Sequence, residues 1–173
     1  VYTSFDAEYN EDMINAISEL NAAGVTEFIL DLRCNGGGSM NSAITLCSAL
    51  VPERYNGAVW CSVERNKRNT QMEQSSEFRL KDAGKMLSLE HLTVICSGYS
   101  ASASELVIMG LRGLDFPVTL IGSQTEGKNC GMDVTRKNID GKTLEFAPIT
   151  FLCFDAKGFG GWGEGIKPDV DLT

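Results

Sequence analysis

Apolar runs of strand length alternate along the chain with segments of helical periodicity. Short runs rich in β-branched and other apolar residues predict buried strands at residues 28–33, 58–63, 92–96 and 118–122. Amphipathic spacing predicts helices at residues 10–23, 41–50 and 105–112. Two later strands, at residues 132–136 and 142–154, flank a hairpin turn that carries the Asp140-Gly141 signal. This alternation predicts an α/β domain around a largely parallel or mixed sheet.

The ends of the predicted elements carry further signals. Asn10 is a candidate N-cap for the first helix, and Gly24 is placed to end it. Residues 1–9 are predicted to form an edge strand or a lead-in. Residues 64–88 are rich in Arg, Lys, Gln, Ser and Glu, which predicts a surface excursion carrying some helix. That excursion is either a solvated connection or a lid over a site.

Composition narrows the class of protein. The chain has 173 residues, 43% of them hydrophobic, which is enough for one domain with a real core. A net charge of −8 argues against a nucleic-acid partner. No apolar run approaches the length of a membrane span. The first residues resemble the middle of a protein, so we expect residues 1–173 to be a single domain excised from a longer chain.

The six cysteines are spread singly. The sequence has no C-x-x-C pair and only one histidine, so we expect no zinc site, and no other metal or cofactor. Cys47 and Cys96 lie in apolar runs and are predicted to be core residues. The pairing of Cys34 and Cys130 stays open at this level.

The stretch from residue 92 to residue 106 offers a nucleophile. Its strand passes through Gly98 into alternating Ser and Ala and then into a helix. Small residues at such a junction leave a hydroxyl uncrowded at a helix N-terminus, where free N–H groups favour negative charge. A serine that attacks a carbonyl needs that environment, although a serine there also serves as a plain helix cap. The residues alone do not choose among Ser100, Ser102 and Ser104.

His91 and Lys128 are the residues to weigh as a base for such a serine. His91 opens the strand whose far end leads to the serines, roughly 16 Å away at ~3.3 Å per residue, so it is a poor base. The sequence also lacks G-x-S-x-G. Lys128 lies in a loop after a strand that should neighbour the 92–96 strand. A lysine acts as a base only where its surroundings lower its pKa, and the alternative for a loop lysine is a solvated charge.

Four blocks in order resemble the S41 peptidases, the C-terminal (tail-specific) processing proteases. The blocks are ILDLRCNGGG at 29–38, SASASE at 100–105, IGSQTEGK at 121–128 and GIKPD at 165–169. The resemblance implies a ClpP/crotonase-like α/β core with repeated β-β-α units and a mixed sheet flanked by helices. It implies a serine endopeptidase that cleaves protein or peptide substrates near their C-terminal tails.

The resemblance also assigns roles to residues. It makes Ser102 the nucleophile and Lys128 the general base. The backbone N–H groups of Ala103 and Gly38 become the oxyanion hole, with Gly37 in support. Many S41 members carry a Gln four residues after the lysine, and Met132 stands there in this chain. Lys128 must then be held by another group, or activity is reduced.

Several further expectations follow from the resemblance. S41 members usually carry a PDZ domain before the core, so this chain is expected to be the core alone, partnered by the PDZ domain of its parent. Lipoprotein-type members imply an extracytoplasmic location in the periplasm or outer membrane, with membrane contact only through a lipid anchor outside residues 1–173. The glycines at 36–38 are expected to be free to flip a peptide, which would leave the isolated core a weak enzyme. The alternatives are a non-proteolytic relative with an acyl- or retinoid-type pocket and a non-catalytic interaction module.

Overall fold

The computed structural model describes residues 1–68 and 73–172. Three α-helices and ten strands are formed within these residues, with single 3-10 turns at Ala7–Tyr9 and Glu53–Tyr55. The helices are α1 (Asn10–Ala22), α2 (Met40–Leu50) and α3 (Ala103–Gly113). The strands are β1 (Ile29–Asp31), β2 (Val59–Arg65), β3 (Ser75–Arg79), β4 (Leu92–Cys96), β5 (Val118–Gly122), β6 (Cys130–Met132), β7 (Thr135–Ile139), β8 (Lys142–Phe146), β9 (Ile149–Asp155) and β10 (Val170–Asp171).

A parallel sheet in the order β1-β4-β5-β10 carries the loops discussed below. Its strand β4 buries Leu92, Val94 and Cys96 on one face, as the alternating period of a strand requires. Because the strands run in one direction, the carboxyl ends of β1, β4 and β5 meet at the same edge. Ligands of open α/β sheets bind at that edge, so we expect a functional site there.

An antiparallel sheet in the order β3-β2-β9-β6 forms a second layer. Helix α3 packs against β2 and β9 of this sheet and against β5 of the parallel sheet. Gly110 makes the approach to β2 possible, because a Cβ there would lie 2.2 Å from Trp60 Nε1. The Trp60 ring is completely buried against this gap. The predicted α/β domain, with its mixed strands and flanking helices, is confirmed.

The predicted hairpin is present, as the two-stranded sheet β7-β8. Asp140 and Gly141 at its turn have φ of 50° and 75°, the left-handed values that an Asp-Gly hairpin turn needs. The strand predicted at 142–154 is divided into β8 and β9. Pro148 lies between them, and a proline has no N–H to continue a ladder.

Two predictions about element ends need correction. Asn10 is the first residue of α1, and Tyr9 is its N-cap. The capping carboxylate, Asp6, instead accepts from Glu8 at the preceding 3-10 turn. Gly24 follows the end of α1 with φ of 73°, as predicted.

The polar segment 64–88 also differs from its prediction. Its described part forms β3 rather than a helix, and residues 69–72 of the predicted excursion lie outside the described residues. The segment is tied to the core, because Leu80, Ala83 and Leu87 are buried. These apolar residues are widely spaced, which is why the sequence pattern did not reveal them.

No helix in residues 1–68 and 73–172 is both long enough and apolar enough to cross a bilayer.

We expect only two of the six thiols to react in the native protein. All six are free; Cys34 is exposed and Cys130 is partly exposed, whereas the rest are buried. Burial raises the pKa of Cys96 to about 11 and that of Cys153 to about 12, so these thiols stay protonated near neutral pH. Titration with Ellman's reagent should show two fast thiols, and six after denaturation. Fast reaction of four or more thiols in the folded protein would contradict this burial.

Candidate active site

Three loops meet at the carboxyl edge of the parallel sheet. We call residues 33–39 the glycine loop, residues 97–102 the serine loop and residues 123–129 the lysine loop; they follow β1, β4 and β5. Backbone hydrogen bonds join them: Ala101 N donates to Asn35 O at 3.2 Å, and Glu126 N donates to Ser100 O at 3.1 Å. The structure therefore brings together the three sequence blocks that the site prediction used.

The three candidate serines have different surroundings. Ser100 and Ser104 are completely buried, and their hydroxyls donate to the backbone oxygens of Leu32 and Asn35 at 2.8 and 2.9 Å. The Ser100 hydroxyl thus ties the serine loop to Leu32, and the Ser104 hydroxyl ties the first turn of α3 to the glycine loop. Ser102 is only partly buried, so it is the one of the three whose side chain reaches solvent.

Ser102 has an unusual backbone. Its φ of 58° and ψ of −114° place a residue with a Cβ in a region that favours glycine, at a cost on the order of 1–3 kcal/mol. It is the N-cap residue of α3, so its hydroxyl lies where the helix dipole is positive. Such strain persists only where neighbouring contacts enforce it. The Ser102 N–H provides one such contact, because it donates to Glu105 Oε2 at 2.9 Å.

Glu105 is the residue that joins the serine and lysine loops. Its side chain is completely buried and accepts four hydrogen bonds, so the carboxylate acts as acceptor throughout. Besides Ser102 N, the donors are Thr125 Oγ1 at 2.6 Å, Gly127 N at 2.8 Å and Lys128 N at 2.8 Å. Ser102 N and Lys128 N share the same oxygen, Oε2. Their nitrogens are therefore no farther apart than two hydrogen-bond lengths.

The glycine loop presses directly on the serine loop. A Cβ at Gly37 would lie 2.7 Å from Ser102 Cβ and 2.9 Å from Ala103 N, so only glycine permits this contact. Gly37 and Gly38 have φ of 102° and 137°, which also favour glycine. The Gly37 N–H donates to Asn35 Oδ1 at 2.8 Å, and the Gly37 carbonyl accepts from Phe5 N at 3.0 Å. The glycine run, expected to be free to flip, is thus held on both sides of Gly37.

Two backbone donors remain available beside Ser102. Within residues 1–68 and 73–172, neither the Gly38 N–H nor the Ala103 N–H donates to a protein acceptor. Ala103 is the first residue of α3, where helical N–H groups lack intrahelical partners. Two unpaired N–H groups next to a serine are the donors that an oxyanion hole requires.

A short ion pair anchors the start of the glycine loop. The Arg33 guanidinium donates to both carboxylate oxygens of Asp31, at 2.7 Å for the closest contact. These hydrogen bonds lower the pKa of Asp31, although its burial opposes the shift. Arg33 itself is largely exposed, so the pair fixes the loop more than it stabilises the fold.

Lys128 is partly buried in the lysine loop. In the part of the chain that the structure describes, its ammonium makes no hydrogen bond or ion pair. Its backbone is fixed by Glu105 and by the close contact of Gly127 with the Gly163 and Gly165 backbone. Met132 lies on the edge strand β6 and is 37% exposed. A thioether offers no donor to orient the amine.

The remaining site predictions can also be placed. His91 precedes β4, at the end of the strand opposite the serine loop, and its Nε2 lies 2.8 Å from Thr119 Oγ1. Sequence reasoning missed the parts played by Glu105, Asn35 and Phe5. Only Glu105 carried a local signal, since Ser-x-x-Glu before an apolar run is a capping-box pattern.

Known proteins resemble this chain along nearly all its length. The model of Peptidase family S41 matches residues 1–172. A protein of Staphylococcus aureus (strain bovine RF122 / ET3-1) named Probable CtpA-like serine protease is 29% identical over 168 residues, which cover 97% of this chain and 32% of that protein. The Staphylococcus epidermidis protein of that name is 27% identical, with 98% and 32% covered. This chain thus spans about a third of the length of these relatives.

Solved structures share the fold. A candidate S41 protease from Bacteroides fragilis NCTC 9343 superposes with a TM-score of 0.88 at 24% identity, over 99% of this chain and 46% of that one. The photosystem II D1 C-terminal processing protease superposes with a TM-score of 0.67 at 22% identity, over 98% and 40%. The expected S41-type α/β core is therefore confirmed as the fold of this chain. With a family match from residue 1 to residue 172, the chain belongs to peptidase family S41.

Proposed function

We propose that residues 1–173 form a single catalytic domain of a serine endopeptidase that uses a Ser102–Lys128 dyad. The observation that carries this proposal is the shared Glu105 carboxylate oxygen, which holds the backbones of Ser102 and Lys128 at one point. Two unpaired N–H groups, of Gly38 and Ala103, complete the constellation. A nucleophile, a base and an oxyanion hole are the parts that acyl transfer requires.

In the acylation step, the Ser102 hydroxyl attacks the carbonyl carbon of the scissile peptide. The neutral Lys128 amine takes the hydroxyl proton, and the carbonyl oxygen becomes an oxyanion that accepts from Gly38 N–H and Ala103 N–H. The C–N bond then breaks as the Lys128 ammonium returns the proton to the leaving amine. The products of this step are an acyl-Ser102 ester and the free C-terminal fragment.

Deacylation uses the same groups in the same order. Water attacks the ester carbonyl while Lys128 accepts its proton, and the oxyanion again occupies the hole. The ester bond breaks, the Ser102 oxygen regains the proton from Lys128, and the new carboxyl terminus is released. The helix dipole of α3 favours the negative charge in both steps.

The relatives support a proposal for the substrate class. The photosystem II D1 enzyme is named as a C-terminal processing protease, and this chain shares its fold. We propose protein or peptide substrates cleaved near their C-terminal tails, in an extracytoplasmic compartment. We further propose that a PDZ domain in the parent protein delivers the tail and that any lipid anchor lies outside residues 1–173. One structural neighbour, from Streptococcus agalactiae, is described as a lipoprotein.

The non-proteolytic alternative would need a ligand pocket. A cavity of about 750 Å³ lies beside α2 and β3, lined in part by Ile44, Phe78 and Met86. Its lining includes neither Ser102 nor Lys128. This cavity therefore gives the alternative no support at the serine and lysine blocks.

A covalent label tests the proposed function. A fluorophosphonate phosphonylates an activated serine, so we expect one adduct per chain, and peptide mass spectrometry should place it on Ser102. Ser100 and Ser104 are the internal controls, since both are buried and engaged. Labelling of the heat-denatured protein should be lost. A native protein that takes up no label, or takes it up on another serine, would rule out Ser102 as the nucleophile.

A further inference from the structure

The N-terminal residues 2–5 run beside the glycine loop, and we call them the clasp. Tyr2 N donates to Asp31 O at 3.0 Å, and Asn35 Nδ2 donates to Tyr2 O at 2.9 Å. Phe5 N donates to Gly37 O at 3.0 Å, and Ser39 N donates to Phe5 O at 2.7 Å. The Phe5 ring is completely buried and packs edge-on against the Tyr2 ring, with the two ring centroids 4.9 Å apart. The clasp is thus fixed at both ends.

The contacts of Phe5 determine how the Gly37–Gly38 peptide is oriented. In a trans peptide the C=O and the following N–H point in opposite directions. Because the Gly37 carbonyl points to Phe5, the Gly38 N–H must point away from the clasp. The parallel bridge between Phe5 and Gly38 has the same consequence, since its bonds use Gly37 O and Ser39 N and leave Gly38 N unpaired.

The position of Gly37 determines the direction in which the Gly38 N–H points. The Gly37 Cα lies against Ser102 Cβ and Ala103 N, so the peptide that follows it starts next to the Ala103 N–H. Asn35 holds the preceding peptide through Gly37 N at 2.8 Å, and Phe5 O holds the following peptide through Ser39 N at 2.7 Å, so neither neighbour of this peptide is free to turn. A Cβ at Gly38 would meet Phe5 O at 2.4 Å, which shows how tightly the clasp packs on the loop.

We propose that Phe5 is a positioning residue of the oxyanion hole, acting through its backbone N–H. Its hydrogen bond to the Gly37 carbonyl keeps the Gly38 N–H directed at the place where the oxyanion forms. Without that bond, the Gly37–Gly38 peptide is free to rotate and present a carbonyl oxygen to the site, which repels the oxyanion. This inference rests on the proposed peptidase function. It adds that the hole is formed before substrate binds and depends on residues distant in sequence from the serine and lysine blocks.

The experiment removes one backbone hydrogen-bond donor, by replacing the Phe5 N–H with an ester oxygen. Cys34 permits native ligation of a synthetic peptide 1–33 to an expressed fragment 34–173, so a backbone ester is placed at Phe5 with the side chain intact. The matched control carries the ester at Ser4, whose N–H makes no hydrogen bond within residues 1–68 and 73–172. We expect the Phe5 ester to lower kcat about 10- to 100-fold with KM nearly unchanged, because a single oxyanion donor is misdirected. The affinity of a peptide boronate should fall by the same factor, and the Ser4 ester should match the all-amide protein.

The outcomes separate the two proposals. If the all-amide ligated protein neither turns over peptide nor labels Ser102, the proposed function is wrong. If it does both and the Phe5 ester keeps full kcat and boronate affinity, only the role of Phe5 is wrong.

A second measurement needs no variant. In the unmodified protein, hydrogen exchange followed by NMR should show a protected Phe5 amide and an unprotected Ser4 amide. Adding the boronate should shift the Gly38 and Ala103 amide signals. A Phe5 amide that exchanges as fast as Ser4 would overturn the proposal even if the ester variant does not fold.

Discussion

Replacing Lys128 by alanine is expected to reduce kcat/KM by at least about a thousandfold while leaving the fold intact. The ammonium makes no hydrogen bond or ion pair within the described residues, so its removal breaks no polar contact there. The Lys128 N–H to Glu105 bond is a backbone contact and survives the substitution. The loss therefore falls on proton transfer alone. Cleavage of an unstructured tail peptide, measured alongside the circular dichroism melt, checks both parts of the expectation.

The matched control is Lys142→Ala, which removes an exposed lysine on the β7-β8 hairpin. It should keep full activity. A small primary amine added to Lys128→Ala should restore part of the rate, and more as pH rises, because only the neutral amine accepts a proton. Unchanged turnover in Lys128→Ala would remove this residue from the mechanism, and the serine would then need another base.

The elements that the sequence predicted well are those whose signals are local. Strand β4 was predicted with its observed ends, because its β-branched and other apolar residues form one uninterrupted local run. The β7-β8 turn follows from two residues with the required φ. Strand β3 carries only one large apolar residue, Phe78, and owes its conformation to pairing with β2. A prediction from local sequence does not include the residues of β2 that pair with β3, so it could not identify β3.

The candidate site divides in the same way. The serine and lysine loops could be found because each follows a predicted strand, and parallel strands end at one edge. The part played by Glu105 could not, because its other three donors lie about 20 residues farther along the chain. Nor could the Phe5 contact with Gly37, which joins residues brought together only by the tertiary fold. Hydrogen bonds of this kind join residues that only the tertiary fold brings together, and their pairing cannot be read from local patterns in one sequence.

Glu105→Gln is expected to reduce kcat/KM about a hundredfold and the free energy of unfolding by about 2–4 kcal/mol. The substitution keeps the volume of the side chain but replaces one acceptor oxygen by an amide that only donates. Whichever way that amide lies, it faces at least one backbone N–H, either of Gly127 or of the Ser102 and Lys128 pair. The N–H left without an acceptor is shielded from water, so it destabilises the fold. In either orientation a backbone N–H of the lysine loop, of Gly127 or of Lys128, loses its acceptor, so the serine and lysine loops are held less tightly together.

Urea unfolding and steady-state cleavage of a tail peptide measure the two effects, and Glu126→Gln is the matched control. Glu126 is exposed in the same lysine loop and contacts the serine loop only through its backbone, so its substitution should change neither quantity. A purely structural role for Glu105 predicts that osmolytes which restore stability also restore the rate. A positioning role predicts that stabilised Glu105→Gln stays slow, because one acceptor for the lysine loop is still missing. If Glu105→Gln retains both full stability and full kcat/KM, the buried carboxylate does not hold the serine and lysine loops together.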